Sequence, residues 1–391
     1  MMYMVEWKKL GDICEIKGRI GFRGYTREDQ VEKGEGAISL SPGNIFDSVL
    51  NYDSCTYITW EKYEESPEIM VNDGDIILCK TASVGKVARV RQLPEKATIN
   101  PQLVLIKNIK TNPQYLFYVL DDNPFQTKIK GLAGVGSVPN VSQAKLSSIQ
   151  IPVPSLSEQN RIVGILDTFT SSIENLKKQI AERRKQFEYY RDKLLDLEGK
   201  EGVEMKKLED VCEIKGEYGL SVPSKPYDGV RYIRITDITD DGKLNNDCVS
   251  ADCNETTKEP LQDGDLLFAR TGATVGKTLI YLEKYGKCLY AGYLIRYRIN
   301  HDIVLPKYIF HFTHSNKYNL WVKNNLVEGA QPNINAKKYN ALEIPIPLLK
   351  DQSRIVSILD TFEASISNLE AQLKEREKQY EYYRNKLLTF E

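Results

Sequence analysis

The chain has 391 residues, which is enough for two or three domains with sizeable cores. Hydrophobic residues make up 41% and charged residues 27%, a composition typical of globular proteins that excludes wholesale disorder. The 53 basic and 54 acidic residues leave a net charge of −1, so the overall charge alone gives no indication of a nucleic-acid partner.

The sequence favours a cytoplasmic location. No apolar run approaches the roughly 20 residues that span a bilayer, and the N-terminal MMYMVEWKKLGD has no signal-peptide core. Seven cysteines without a CxxC pair are typical of reduced thiols. Cys14 and Cys212 are flanked by apolar residues and are predicted to be small buried hydrophobic side chains.

The chain is a duplicated two-part unit. VEWKKLGDICEIKG at 5–18 recurs as VEMKKLEDVCEIKG at 203–216, with 11 of 14 positions identical. Residues 151–198 align without a gap to 344–391, and 30 of these 48 positions are identical. We therefore predict a first globular domain at 1–150 (head one), a spacer helix at 151–198, a second globular domain at 199–343 with a short linker at its start (head two), and a second spacer helix at 344–391.

Both heads are predicted to mix strands and helices. In chain order, apolar and β-branched runs predict strands at 75–79 and 102–107 and a helix at 114–121 in head one. In head two they predict strands at 231–235 and 293–299 and a helix at 307–313. The fold class is therefore α+β, with two repeated globular domains.

The two repeated tails are predicted to be long helices that pair with each other. Apolar positions from Ile162 to Leu197 alternate in steps of four and three, and the second tail repeats this spacing. Pro-x-Pro marks each start, with Ser157 and Asp351 as predicted caps. About 38 residues at roughly 1.5 Å each give about 57 Å. Antiparallel pairing with pseudo-twofold symmetry is expected, since parallel pairing requires head two to carry the chain back along the helix.

No catalytic residue, cofactor site or metal site is predicted. The sequence GATVGK at 272–277 has three residues between its glycines, where a phosphate-binding loop requires four. Asp122-Asn-Pro-Phe125 lacks one proline of the adenine methyltransferase tetrapeptide. His311 and His314 have helical spacing, but 310–322 contains no cysteine or carboxylate that completes a metal site.

Charge is distributed in the same asymmetric way in both heads. Residues 1–79 hold 8 basic and 15 acidic side chains, whereas 80–145 hold 10 and 3. Residues 203–269 hold 8 and 15, whereas 270–340 hold 11 and 3. Ion pairs between the halves account for part of this pattern. A basic face balanced by an acidic one also suits phosphate contact, which the net charge conceals.

The basic halves contain polar loops with the donors and acceptors that read base edges in the major groove. Gly85 and Gly276 are expected to serve the loop turns themselves. The residues predicted to approach DNA are Lys80, Thr81, Lys86 and Asn140 in head one, and Arg270, Thr271, Lys277, Gln331 and Asn333 in head two.

These motifs resemble one known family. Gly-Asp-(Ile/Leu)-(Ile/Leu)…Thr…Gly-Lys in each head, followed by Pro-Asn and Ile-Pro-x-Pro…Gln-x-Arg-Ile-Val-x-Ile-Leu-Asp, is similar to the DNA specificity subunit of type I restriction–modification systems. The resemblance covers essentially the whole chain. It implies two target recognition domains, each reading one half-site of a bipartite DNA target across an unread spacer, and antiparallel spacer helices.

The same resemblance implies the partners. Two modification subunits carry S-adenosylmethionine and methylate adenine, and restriction/translocase subunits join to cleave DNA. This chain itself is expected to be non-catalytic. Three alternatives remain open: a two-headed DNA-binding regulator, although no helix-turn-helix is evident; a coiled-coil adaptor, which leaves the twin charge asymmetry unexplained; and a fused methyltransferase or nuclease, which needs the motifs found to be absent above.

Overall fold

The computed structural model describes residues 5–21, 24–134, 138–253, 258–326 and 331–390. The chain forms two compact units, one of residues 1–175 with 373–391 and the other of residues 176–372. Each unit therefore contains one head together with segments of both long helices. Among the described residues, no helix is long and apolar enough to cross a membrane.

Head one consists of short strands joined by short helices. Its elements are β1 (Glu6–Lys9), α1 (Leu10–Ile13), β2 (Glu15–Lys17), β3 (Gln30–Val31), β4 (Gly36–Leu40), β5 (Ile45–Phe46), β6 (Val49–Leu50), β7 (Thr56–Thr59), α2 (Trp60–Glu64), β8 (Ile76–Cys79), β9 (Val87–Arg89), β10 (Ala97–Ile99), β11 (Leu103–Lys107), α3 (Pro113–Asp121), α4 (Asn123–Leu132), α5 (Gln143–Ser147) and β12 (Gln150–Val153).

The central sheet of head one lies between two hydrophobic cores. Its strand order is β2-β11-β8-β9, and all its pairs are antiparallel. Val104 and Ile106 of β11 pack into the core that contains α3, whereas Leu103 and Leu105 pack into the core that contains β4. Alternate residues of a strand face opposite sides of its sheet, so one apolar run serves both cores. In the second sheet of head one, β10 runs parallel to β4.

The first spacer helix and head two follow in the same way. Their elements are α6 (Leu156–Leu195), β13 (Glu204–Lys207), β14 (Cys212–Tyr218), β15 (Ser224–Pro226), β16 (Arg231–Ile233), β17 (Val249–Ala251), β18 (Leu266–Ala269), β19 (Thr278–Ile280), β20 (Cys288–Tyr290), β21 (Leu294–Ile299), α7 (Pro306–Phe312), α8 (Asn316–Asn325), α9 (Ala336–Asn340), β22 (Glu343–Ile346) and the second spacer helix, α10 (Leu349–Leu388).

Head two repeats the topology of head one. The order β14-β21-β18-β19 corresponds to β2-β11-β8-β9, and the parallel pair β16–β20 corresponds to β4–β10. Both heads are closed by the same antiparallel ribbon, β1 with β12 and β13 with β22. The six predicted strands and helices of the heads are confirmed to within two residues at their ends. The duplication seen in the sequence is therefore a duplication of structure, and the α+β class is confirmed.

The two long helices run antiparallel within each unit. In the second unit Arg184 pairs with Glu370 at 2.5 Å, and Tyr190, further along α6, stacks on Phe362, further back along α10. In the first unit Phe169 stacks on Tyr383 at a centroid distance of 5.2 Å. Each helix has 40 residues, slightly more than predicted.

The starts of the helices correct one prediction. Ser157 and Asp351 lie inside α6 and α10 and do not cap them. At α6 the side chain of Ser155 accepts a hydrogen bond from the backbone N–H of Glu158 at 3.3 Å. Ser155 lies directly before Leu156, so it occupies the position from which a hydroxyl reaches the first free N–H groups of a helix.

Buried glutamines attach each long helix to its own head. The side-chain carbonyl of Gln159 accepts the N–H of Asn112 at 2.8 Å, and its amide donates to the carbonyl of Pro154 at 2.8 Å. Gln352 does the same with Leu305 and Pro347, also at 2.8 Å. A buried amide that satisfies both a donor and an acceptor cannot be replaced by an apolar side chain without leaving backbone groups unpaired. This explains the glutamine in the repeated tail motif.

The repeated cysteines are buried, as predicted. Cys14 donates to the carbonyl of Leu10 and Cys212 to the carbonyl of Leu208. Burial raises the pKa of both thiols to about 12, so they stay protonated at neutral pH. Both act as small packing side chains.

Candidate nucleic-acid interface

In head one, two predicted loops are joined into a single surface. The turn between β8 and β9 begins at Lys80, and Thr81 forms an isolated antiparallel bridge with Asn140 from the loop before α5. The Thr81 hydroxyl also donates to the side-chain oxygen of Asn140 at 2.8 Å. The N–H of Val141 donates to the carbonyl of Lys80 at 2.9 Å. Lys80, Thr81 and Asn140, far apart in sequence, therefore lie together.

Head two makes the same connection. Thr271 and Asn333 form the equivalent bridge, and the N–H of Ile334 donates to the carbonyl of Arg270 at 2.9 Å. Gln331 is exposed, two residues from Asn333 in the same loop. Four of the five predicted residues of head two are thus close together. We call each pair of bridged loops a reading loop pair: residues 80–86 with 138–141, and residues 270–277 with 331–334.

Glycines set the shape of these turns, as expected. Gly85 has φ +99° and Gly276 has φ +90°, a region in which other residues are strained. A Cβ atom on Gly85 would lie 2.3 Å from the Gln126 side chain, and one on Gly276 would lie 2.8 Å from Val322. Each turn joins two strands and leads into no α-helix, although the turn of head two contains one 3-10 turn at Gly272–Thr274, so both differ from a phosphate-binding loop.

Lys86 and Lys277 lie at the far end of each turn and contact the protein. The Lys86 ammonium donates to the carbonyls of Pro42 and Ile45 at 3.4 and 3.3 Å. The Lys277 ammonium pairs with the exposed Asp240 at 2.7 Å and also reaches the Ile238 carbonyl. These side chains therefore have internal partners, and their approach to DNA stays a prediction.

The two heads treat their basic residues differently. In head one Lys86, Lys110 and Lys145 donate to backbone carbonyls, which carry no net charge. In head two three basic residues of the later half pair with carboxylates of the earlier half: Lys277 with Asp240, Arg296 with Glu217, and Arg298 with Asp265. Ion pairing between halves thus accounts for part of the charge asymmetry in head two. Because neutral carbonyls do not cancel charge, these three lysines of head one still contribute positive electrostatic potential at the surface.

The two histidines of α7 are not isolated from carboxylates, contrary to the reasoning from local sequence. Asp360 of α10 lies 3.3 Å from Nε2 of His311, and Glu363 lies 4.0 Å from Nδ1. The carboxylates face opposite nitrogens of one ring, and Lys307 already pairs with Asp360 at 2.5 Å. One possible ligand atom from each of His311, Asp360 and Glu363 lies within 4.8 Å of the others, but Asp360 is already occupied by Lys307, so we describe the cluster as a polar joint between α7 and α10.

Two exposed aromatic residues beside the reading loop pair of head two were missed by the sequence reasoning. Tyr218 lies at the end of β14, and Tyr293 precedes β21. The Arg270 guanidinium carbon lies 4.9 Å from the centre of the Tyr218 ring. The N–H of Arg270 donates to the carbonyl of Tyr293 at 3.0 Å. The available signal was a tyrosine next to glycine, at Tyr218-Gly219 and Gly292-Tyr293.

Comparison with known proteins shows the family. Residues 4–183 and 200–378 each match the type I restriction modification DNA specificity domain. The chain is 31% identical over 300 residues to a putative type I restriction enzyme specificity subunit of Haemophilus influenzae, covering 72% of this chain and 73% of that protein. It is also 31% identical over 304 residues to the EcoR124I/EcoR124II specificity subunit of Escherichia coli, covering 72% of each.

Solved structures agree on the fold. The S subunit of a type I system from M. genitalium has a TM-score of 0.60 at 13% identity, covering 99% of this chain and 96% of that one. A chain from a study of type I complex assembly and conformational transition also has a TM-score of 0.60, at 18% identity, covering 98% and 97%. The chain therefore belongs to the type I restriction–modification specificity family and carries its domain twice.

Proposed function

We propose that this chain is the non-catalytic subunit that selects the DNA target of a type I restriction–modification complex. The observation that carries the proposal is the repeated reading loop pair. The same backbone bridge, Thr81 with Asn140 and Thr271 with Asn333, is built in both heads. The side chains around it differ, Lys80 and Gln102 in one head and Arg270 and Tyr293 in the other. The same backbone arrangement with different surrounding side chains suits the recognition of two different half-sites.

The nine predicted residues receive different roles in this proposal. Thr81, Asn140, Gln331 and Asn333 carry polar side chains suited to base edges, whereas Thr271 is buried and donates its hydroxyl to the carbonyl of Pro332 at 3.3 Å, so it supports the loop. Lys80 supplies positive charge to the phosphate backbone, and Arg270 reads a base. Lys86 and Lys277, which contact their own head, hold the hairpin beside each loop, and Lys86, bound only to neutral carbonyls, also adds to the local positive field.

The partners belong to the same proposal. The chain acts with two modification subunits that hold S-adenosylmethionine and methylate adenine, and with restriction/translocase subunits that join them. The paired α6 and α10 set the unread gap between the half-sites. The free cysteines, four of them buried, suit a reducing cytoplasm, where this complex acts.

Methylome sequencing tests this function directly. A host that carries the chain with its modification subunits should show methylated adenines in one bipartite motif with a fixed gap. Substituting Asn140 and Asn333 by alanine, each alone, should weaken methylation through different halves of that motif. Single-base variants of the two half-sites, scored in the same cells, separate these effects. Methylation without a bipartite motif, or failure of the chain to co-purify with the modification subunits, contradicts the proposal and favours a regulator or an adaptor.

A further inference from the structure

Tyr218, Arg270 and Tyr293 form one cluster on the surface of head two. Arg270 lies over the Tyr218 ring at 4.9 Å, the distance of a cation–π contact. Its Nε is buried and has no hydrogen-bond partner within the described part of the chain. Tyr293 is 60% exposed and Tyr218 is 38% exposed, whereas Tyr290 and Tyr297 nearby are fully buried. The cluster therefore presents aromatic surface to solvent directly beside an arginine whose Nε is unsatisfied.

The fold fixes the backbone of all three residues and the side chain of Tyr218. The Tyr218 hydroxyl accepts the N–H of Ala336 at 3.0 Å, at the start of α9. Beyond Tyr218, Leu220 forms a parallel bridge with Ala291, just before Tyr293. A Cβ atom on Gly219 would lie 2.3 Å from the carbonyl of Ala291, so the two segments touch through bare backbone. The reading loop pair is hydrogen-bonded on both sides of Arg270, at Tyr293 and Ile334.

Head one has no such cluster at the equivalent positions. The repeat places Ile20 opposite Tyr218, since CEIKGRIG aligns with CEIKGEYG. Lys80 takes the place of Arg270, and its N–H donates to the carbonyl of Gln102 as that of Arg270 does to Tyr293. A lysine ammonium is a mobile point charge, whereas a stacked guanidinium presents a planar fork of donors in one direction. Arg270 therefore suits a ligand with two acceptors in a fixed arrangement, whereas Lys80 suits any nearby negative charge.

The chemistry of the cluster identifies its ligand. A planar fork of N–H donors matches the paired acceptors O6 and N7 of guanine in the major groove. The exposed ring of Tyr293, whose carbonyl accepts the N–H of Arg270, is placed to pack against an apolar group beside that guanine. The 5-methyl group of thymine is the apolar group that base pairs offer in this groove.

We infer that Arg270 reads a guanine in the half-site of head two, that Tyr218 is the positioning residue that orients the guanidinium, and that Tyr293 contacts the methyl group of an adjacent thymine. This inference rests on the proposed function and names three of the contacts that give head two its specificity. Neither tyrosine belongs to the residues predicted from the sequence.

The test uses the full chain assembled with its modification subunits and duplexes of the motif found by methylome sequencing. In separate duplexes each guanine is replaced by 7-deazaguanine, which removes N7, and each thymine by deoxyuridine, which removes the methyl group. Dissociation constants are measured for the wild type, Arg270→Ala, Tyr218→Leu, Tyr218→Phe and Tyr293→Ala. Tyr227→Ala is the matched control, because Tyr227 is 55% exposed in the same head.

We expect one 7-deazaguanine position to weaken wild-type binding at least about fivefold and to have no effect on Arg270→Ala. Tyr218→Leu should lower that ratio about two- to fivefold, the contribution of a cation–π contact, whereas Tyr218→Phe keeps the ring and the ratio. Tyr293→Ala should abolish the effect of deoxyuridine next to that guanine. Tyr227→Ala should leave both ratios unchanged.

The outcomes separate this inference from the proposed function. If the wild-type complex prefers no duplex sequence, the proposed function fails. If it binds its motif selectively, but every 7-deazaguanine substitution affects Arg270→Ala as much as the wild type, the inference fails and the proposed function stands. It also fails if Tyr218→Leu and Tyr227→Ala behave alike, or if the head-two half-site lacks guanine. Loss of subunit co-purification in Tyr293→Ala places the tyrosine in a protein interface and overturns its assignment to DNA.

Discussion

Head one and head two share their backbone plan and differ in the side chains that this plan displays. Both close with the same ribbon, anchor the following helix through a buried glutamine, and bridge a threonine to an asparagine. Around that bridge head one displays Lys80, and head two displays Arg270 stacked on Tyr218. The comparison teaches that the duplicated sequence encodes the shared backbone arrangement. The diverged sequence encodes the side chains that this backbone exposes.

The heads also differ in how their charges are balanced. Arg89 and Arg91 of head one donate to the neutral side chain of Gln114 at 2.9 and 2.8 Å. In head two Arg296 and Arg298 pair with Glu217 and Asp265. A neutral acceptor satisfies the donor but leaves the positive charge, whereas a carboxylate cancels it. Head one should therefore depend more on phosphate attraction, and head two more on directed contacts.

The largest expected effect tests whether matching buried positions stabilise the two units equally. Leu166 and Leu359 occupy matching repeat positions and are both fully buried. Leu166→Ala and Leu359→Ala should each lower the free energy of unfolding by about 2–5 kcal/mol, because each removes buried methyl groups and leaves a cavity. Hydrogen exchange with mass spectrometry should place each loss in its own unit. If both variants destabilise the same unit, the two helices do not play equivalent structural roles.

An intermediate effect separates charge from directed reading. Arg270→Ala should weaken binding to the specific duplex by about 1–3 kcal/mol and relax selectivity at one base pair. Lys80→Ala should weaken binding to all duplexes nearly equally and reduce the slope of log affinity against log salt concentration by about 1. Titrations at several salt concentrations on specific and scrambled duplexes measure both. If the two variants give the same pattern, the contrast between the heads is wrong.

The smallest expected effect concerns pH. Equivalent positions carry Asp121 in head one and His314 in head two. Desolvation lowers the pKa of His314 to about 4 and raises the pKa of Asp121 above its usual value. Unfolded His314 binds a proton below about pH 6.5, whereas the folded residue does so only near pH 4, so acidification favours unfolding of the second unit.

Between pH 7 and pH 5 the unit with head two should lose about 1–2 kcal/mol of stability. The raised pKa of Asp121 acts in the opposite direction, because protonation then favours the folded form of the unit with head one. Hydrogen exchange of core amides, corrected for intrinsic rates, measures both units in one sample. His314→Gln keeps a polar side chain without titration and should remove the loss. A variant that still loses stability assigns the pH dependence to other groups.

The sequence predicted the frame well because the frame is repeated. Helix periodicity, the duplicated tails and the short apolar strands are local patterns, and each was present twice. The candidate loop residues were also predicted in pairs, since Thr81 and Thr271 occupy matching positions. Contacts between distant segments were not predictable in this way. Nothing local shows that Tyr218 stacks on Arg270, or that Asp360 and Glu363 lie beside His311.

The helix caps show the limit of pattern reasoning at element ends. Ser157 fitted the pattern of a cap, but Ser155 makes the hydrogen bond. The start of a helix depends on where the preceding strand ends, and β12 ends at Val153. A shift of two residues at such a boundary changes which hydroxyl faces the free N–H groups.

The closing ribbon has a consequence for how this protein changes during evolution. Because β1 lies beside β12, and β13 beside β22, the chain enters and leaves each head at adjacent points. Each head is therefore a cassette whose two ends meet at one place, flanked by closely similar sequence in both copies. Recombination between such flanks can exchange one cassette for another and leave the ribbon, the glutamine anchor and the helix pair intact. A new DNA specificity then requires a new insert and no new architecture.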